Sequence, residues 1–96
     1  MSTWPFPNLP NVATFTVRQI ISGKEPILFV SHDAEDGSWQ FLTNKPLDIA
    51  EAMLVGLAEM LRHDATLAEI ADLPEGWQAT REHKGANWQR TLSSSA

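Results

Sequence analysis

Ile27-Leu28-Phe29-Val30-Ser31-His32, then Asp33-Ala34-Glu35-Asp36-Gly37, then Ser38-Trp39-Gln40-Phe41-Leu42-Thr43, is the stretch on which the fold turns. Two runs rich in β-branched and aromatic residues flank an Asp-Gly turn, which predicts a β-hairpin over about residues 27–43. In the first run Ile27 and Phe29 point one way and Leu28 and Val30 the other. Both faces are then apolar, and the strand is expected in the middle of a sheet. In the second run, alternation turns Trp39 and Phe41 inward and Gln40 outward.

Upstream, Pro5, Pro7 and Pro10, with Trp4 and Phe6 between them, exclude helix over residues 1–11. They predict an extended segment anchored by Trp4 or Phe6. Thr14 can cap a short helix with Val17, Ile20 and Ile21 on one face and Gly23 closing it. Strand is the competing reading there, because Thr14 to Val17 are good strand formers. Downstream, Lys45-Pro46 ends the hairpin. Leu47 to His63 has the composition of a helix, but Gly56 interrupts it and Met53-Leu54-Val55-Gly56-Leu57 is apolar all round. A strand near 52–57 leading into a short helix near 58–62 is therefore expected. Asp64 is placed to cap the next turn, where Thr66 and Glu69 have capping-box spacing and Leu67, Ile70 and Ala71 form an apolar stripe.

Leu73-Pro74-Glu75-Gly76 reads as a turn. Trp77 to Glu82 then alternates like a strand with Trp77, Ala79 and Arg81 on one side, Trp88 returns to the body, and residues 93–96 are expected to form a loose tail. No internal repeat is visible. The order predicts a single α+β domain over residues 1–96, with a small antiparallel sheet around the hairpin and short helices packed on one side.

The 96 residues carry seven basic and twelve acidic side chains, for a formal charge of −5. That balance repels phosphate backbones, and Glu82 interrupts the one basic cluster, Arg81, Lys84 and Arg90, so no nucleic-acid partner is expected. The absence of cysteine excludes disulfides, thiolate metal sites and a thiol nucleophile. The first residues lack the pattern of a signal or transit peptide, and the longest apolar run, Ala52 to Ala58, is too short to cross a bilayer. Cytoplasm is the expected location, with no membrane partner.

Val30-Ser31-His32-Asp33, Asp36-Gly37-Ser38-Trp39-Gln40-Phe41, Leu73-Pro74-Glu75-Gly76-Trp77-Gln78-Ala79-Thr80-Arg81 and Trp88-Gln89-Arg90 carry a resemblance. Over roughly residues 12–90 the chain resembles a family of small bacterial domains of unknown function that are grouped with immunity-protein-like domains. The resemblance implies that some relatives bind and neutralise a toxin. It brings no catalytic residue.

Two constellations are candidates for function. His32, Asp33, Glu35 and Asp36 crowd the hairpin tip, and a histidine beside carboxylates is the raw material of a metal site or an acid–base pair. The turn is too short for a calcium loop, and position 44, where that loop would need its glutamate, is Asn44. Trp77, Arg81, Trp88 and Arg90 form the second set, since tryptophan and arginine are the residues most enriched at binding hot spots. Arg81 could instead pair with Asp36 or Glu82. No phosphate-binding loop or nucleophile elbow occurs, so no cofactor, resident metal or catalytic residue is expected. The leading expectation is a non-enzymatic protein-binding module, immunity-like, whose binding residues are drawn from His32, Asp33, Asp36, Trp77, Arg81, Trp88 and Arg90. The alternative is a small metal-assisted or acid–base hydrolase using His32, Asp33 and Asp36.

Overall fold

The computed structural model of the chain describes residues 4–93. Its first strand, β1 (Ala13–Val17), runs directly into the four-residue helix α1 (Arg18–Ile21). The strand reading holds for Thr14 to Val17, and the expectation that Thr14 caps a helix containing Val17 needs correction: the Thr14 hydroxyl donates across the sheet to Val55 O, and the helix begins only at Arg18. Gly23, at φ +81°, ends it in the left-handed conformation, which a side chain would strain. The expected hairpin follows as β2 (Phe29–His32) and β3 (Trp39–Leu42). After a turn of 3₁₀ helix at Ile49–Glu51, capped by the Asp48 carboxylate, come β4 (Ala52–Gly56) and α2 (Leu57–His63), the strand and helix expected there. A 3₁₀ helix at Ala65–Ile70, capped by Asp64, leads to β5 (Trp77–Thr80) and β6 (Gln89–Leu92).

The six strands form one sheet in the order β4-β1-β3-β2-β5-β6. The hairpin occupies its middle, as its two apolar faces demanded. The expectation of an antiparallel sheet needs correction, because β1 and β3 run parallel, with Phe15 aligned on Gln40, and the sheet is mixed. The physical reason lies in the connection. β2 is laid down antiparallel to β1 but one strand's width away, and the tight turn returns β3 into the gap, where it must run as β1 does. The order strand, helix, strand, strand also occurs twice, as β1-α1-β2-β3 and β4-α2-β5-β6, although the sequence shows no repeat.

One face of the sheet is covered. Val30, Trp39, Phe41 and Ala79 pack there against Ile20 of α1, Leu57 and Met60 of α2, and Leu67 and Ile70 of the second 3₁₀ helix. Fully burying an aliphatic or aromatic side chain of this kind is worth about 1.5–3 kcal/mol. Phe6, from the proline-rich segment, joins the same core. Two buried threonines of β1 are satisfied across the sheet, Thr14 Oγ1 donating to Val55 O and Thr16 Oγ1 to Phe41 O, both at 2.7 Å. Of the tail expected at 93–96, Ser93 donates its backbone N–H to Gly76 O at 2.8 Å. The rest of it, and residues 1–3 of the N-terminal segment, lie outside the described residues.

Candidate functional site

Strand alternation separates the histidine of the hairpin tip from its carboxylates. His32 points into the core. Its ring stacks on Trp39, centroids 4.0 Å apart, and its Nδ1 lies 2.7 Å from Leu73 O. A carbonyl can only accept, so Nδ1 carries the proton and the ring pins the 71–74 segment to the sheet. Asp33, the next residue, faces the opposite way. Its carboxylate accepts from Ser31 Oγ, Ser38 Oγ and Gln40 Nε2. Asp36 accepts from the Ser38 backbone N–H at 3.0 Å, and that bond holds its carboxyl below the usual range. His32 and Asp36 do not meet. No group of three or more histidine or carboxylate side chains among the described residues is placed to hold a metal ion.

A second turn closes against the hairpin. Gly76 donates its N–H to His32 O at 2.7 Å, and Trp77 N–H reaches Pro74 O. Gly37 has φ +72°, a backbone that favours glycine, and the Glu75 carboxylate reaches it: a Cβ added there would lie 2.9 Å from Glu75 Oε2. The two turns thereby gather Asp33, Glu35, Asp36 and Glu75 at one end of the sheet. A cleft there is lined by Asp33, Ala34, Glu35, Asp36, Gly76 and Ser93.

The ion pairs explain why that end is strongly negative. Arg18, Lys45, Arg62, Arg81 and Arg90 are engaged by Glu51, Glu25, Glu59, Asp64 and Asp72. Lys24 and Lys84 are the two basic side chains outside these pairs, and both line a cleft with Gly23 and Ile27, near the start of β2 and away from its turn. Among the described residues none of the four hairpin-end carboxylates has a cation partner; Asp48, Glu69 and Glu82 elsewhere also have none.

The Trp–Arg set divides. Arg81 is enclosed: Nε donates to Ile27 O at 3.0 Å, one Nη to Thr66 Oγ1 at 2.9 Å and the other to Asp64 Oδ2 at 2.7 Å. Its guanidinium lies 4.1 Å from the centre of the Trp88 ring, the stacking geometry of a cation on an aromatic face. The partner is Asp64, neither Asp36 nor Glu82. Arg90 sits on the surface, bonded to Asp72 and to Glu69 O, and Trp77 is half-buried opposite His32 and Leu92. Arg81 and Trp88 meet each other inside the domain, whereas Asp33 and Asp36 lie at the hairpin end. Asp64 and Glu75 were the partners that spacing could not supply, since each is brought in by a different segment.

Burial pushes the Asp64 carboxyl up, but the Thr66 and Arg81 hydrogen bonds outweigh it and hold the group below its ordinary value. The folded chain therefore binds fewer protons than the unfolded chain between the two values. The stability this group contributes is complete above the unfolded value of 3.8 and is lost as pH falls through the lower folded value. Urea unfolding from pH 7 to 2 is expected to show stability declining below about pH 4. Asp64→Asn, which cannot ionise, should be less stable at pH 7 and decline less steeply. An acid slope identical to wild type would contradict this assignment.

Fold and site define a small mixed-sheet α+β domain with a charged end and a buried arginine. Comparisons with protein-family models, curated proteins and solved structures give no match. No helix among the described residues is long and apolar enough to cross a membrane.

Proposed function

We propose that this chain is a non-enzymatic protein-binding module that presents its hairpin end to a basic partner protein. The observation that carries the reading is the gathering of Asp33, Glu35 and Asp36 along one cleft, with Glu75 beside it against Gly37 and no cation among the described residues paired to any of the four, while Lys24 and Lys84 line a different cleft. Charge of one sign concentrated at one end steers an oppositely charged partner and raises its association rate. The hydrogen bonds that fix Asp33 and Asp36 keep the cost of ordering them on binding low. The family resemblance gives the reading its biological form, a domain that sequesters a toxin, within the cytoplasm.

The test is capture from the cells that encode the chain. Immobilised wild type is expected to retain a basic protein at low salt and release it as salt rises. The double variant Glu35→Lys/Glu75→Lys leaves the turn-holding Asp33 and Asp36 in place and should bind that protein at least about tenfold more weakly. Retention of the same proteins by both forms would overturn the proposal.

A further inference from the structure

The two borders of the sheet differ in kind. β6 carries Arg90 between Gln89 and Thr91, and a charged side chain is a common guard against edge-to-edge pairing. β4, with the sequence Ala-Met-Leu-Val-Gly, carries neither charge nor proline. Large exposed apolar side chains gather around it: Leu54 and Ile49 are each 71% exposed and Leu9 73%, and Val12, Leu47 and Met53 are exposed beside them. The 9–12 segment belongs to this patch because Val12 O accepts from Leu57 N–H and Pro10 O from Ala58 N–H. Summed over these six residues on both faces of the sheet, the exposed fractions correspond to surface on the order of 600 Å².

The backbone of β4 is also available. Val12 and Leu57 continue the β1·β4 ladder, and their bond sets its phase, so the Thr14·Val55 and Thr16·Met53 pairs exchange hydrogen bonds. The N–H and C=O of Leu54, the C=O of Ala52 and the N–H of Gly56 then point away from β1, out of the edge, while Ala52 N–H donates to Ile49 O and Gly56 caps the first turn of α2. These groups are self-complementary. An antiparallel pairing centred on Leu54 sets Leu54 against Leu54 of a second copy and Ala52 against Gly56, so that the leucines exchange two hydrogen bonds and each Gly56 N–H meets an Ala52 C=O. The leucines become a cross-strand pair on one face and Met53 meets Val55 on the other.

We propose that β4 pairs antiparallel with β4 of a second copy, making a two-fold dimer with one sheet continuous through both chains. The area supports this occupant. Two copies that covered these side chains completely would bury at most on the order of 1,200 Å², against the roughly 1,000 Å² that a specific interface needs. The strand is uncharged, so the net charge of −5 does not set like charges directly opposite each other across it. The dimer is independent of the hairpin-end reading, and either can fail alone.

Sedimentation equilibrium over a range of concentrations is the test. Wild type is expected at twice the 10.7 kDa chain mass. Leu54→Lys sets two ammonium groups opposite each other and should weaken association by about a hundredfold or more. Leu92→Lys, the same change on the exposed part of the other border, should leave the dimer intact, and thermal melting monitors the fold of both variants. A wild type at single-chain mass throughout, or a Leu54→Lys protein that dimerises as wild type does, overturns the proposal. A strand from a different protein as the occupant would appear as the first of these results.

Discussion

Replacing Asp64 by alanine is expected to destabilise the domain by about 3–5 kcal/mol, because it leaves the Arg81 guanidinium buried without its counter-charge. Ion pairs on a protein surface are worth far less. What sets this one apart is its enclosure: the Arg81 side chain has no exposed surface and that of Asp64 only 5%. The carboxylate also holds Thr66 through both its backbone N–H at 3.0 Å and its hydroxyl at 2.6 Å. Removing it releases the start of the 3₁₀ helix as well as the arginine. The control is Asp64→Leu/Arg81→Met, which removes both charges and should recover most of the loss. Urea unfolding of the three proteins measures the effect. A single-variant loss below about 1 kcal/mol would mean that the pair behaves as an exposed one.

Trp39→Ala should cost about 3–5 kcal/mol, the range for truncating a buried aromatic side chain. The indole is 1% exposed and joins three parts of the chain. Its Nε1–H donates to Asn8 Oδ1 at 2.8 Å, Phe6 meets it edge-on at 5.1 Å, and His32 stacks on its face. The loss should therefore reach beyond the hairpin to the proline-rich segment that Asn8 and Phe6 belong to. Limited proteolysis of the variant is expected to cut within residues 4–12 under conditions that leave wild type intact. Equal cleavage of both proteins would contradict the role given to Trp39. Small domains are commonly stable by 5–15 kcal/mol, so either substitution removes a large share of the total.

Local chemistry made much of this fold legible. The Asp-Gly turn and period-two pattern of residues 27–43 announced the hairpin, and Gly56 with its apolar neighbours announced the strand-to-helix change at 52–63. The parallel pairing of β1 with β3 was not legible, because it is set by where a returning strand finds room and not by any residue in it. β6 escaped reading because Gln89-Arg90-Thr91-Leu92 has a single apolar residue and every residue of it is exposed. The candidate site was half legible. The acidic tip could be seen, but the sequence does not say that Glu75 arrives beside it or that His32 turns away. The pattern that made Trp77, Arg81 and Trp88 resemble a binding face is the same one a small core uses when it encloses an arginine. Only the position of Asp64, seventeen residues before Arg81 in the chain, distinguishes the two.

The reading of the hairpin end as the recognition surface is tested most directly by nuclear magnetic resonance of the labelled domain with the basic protein it captures. The account predicts that backbone resonances of residues 33–37, 75, 76 and 93 shift on complex formation while those of Arg81 and Trp88 stay in place. A footprint that leaves the hairpin end unchanged and falls on another part of the sheet would contradict it.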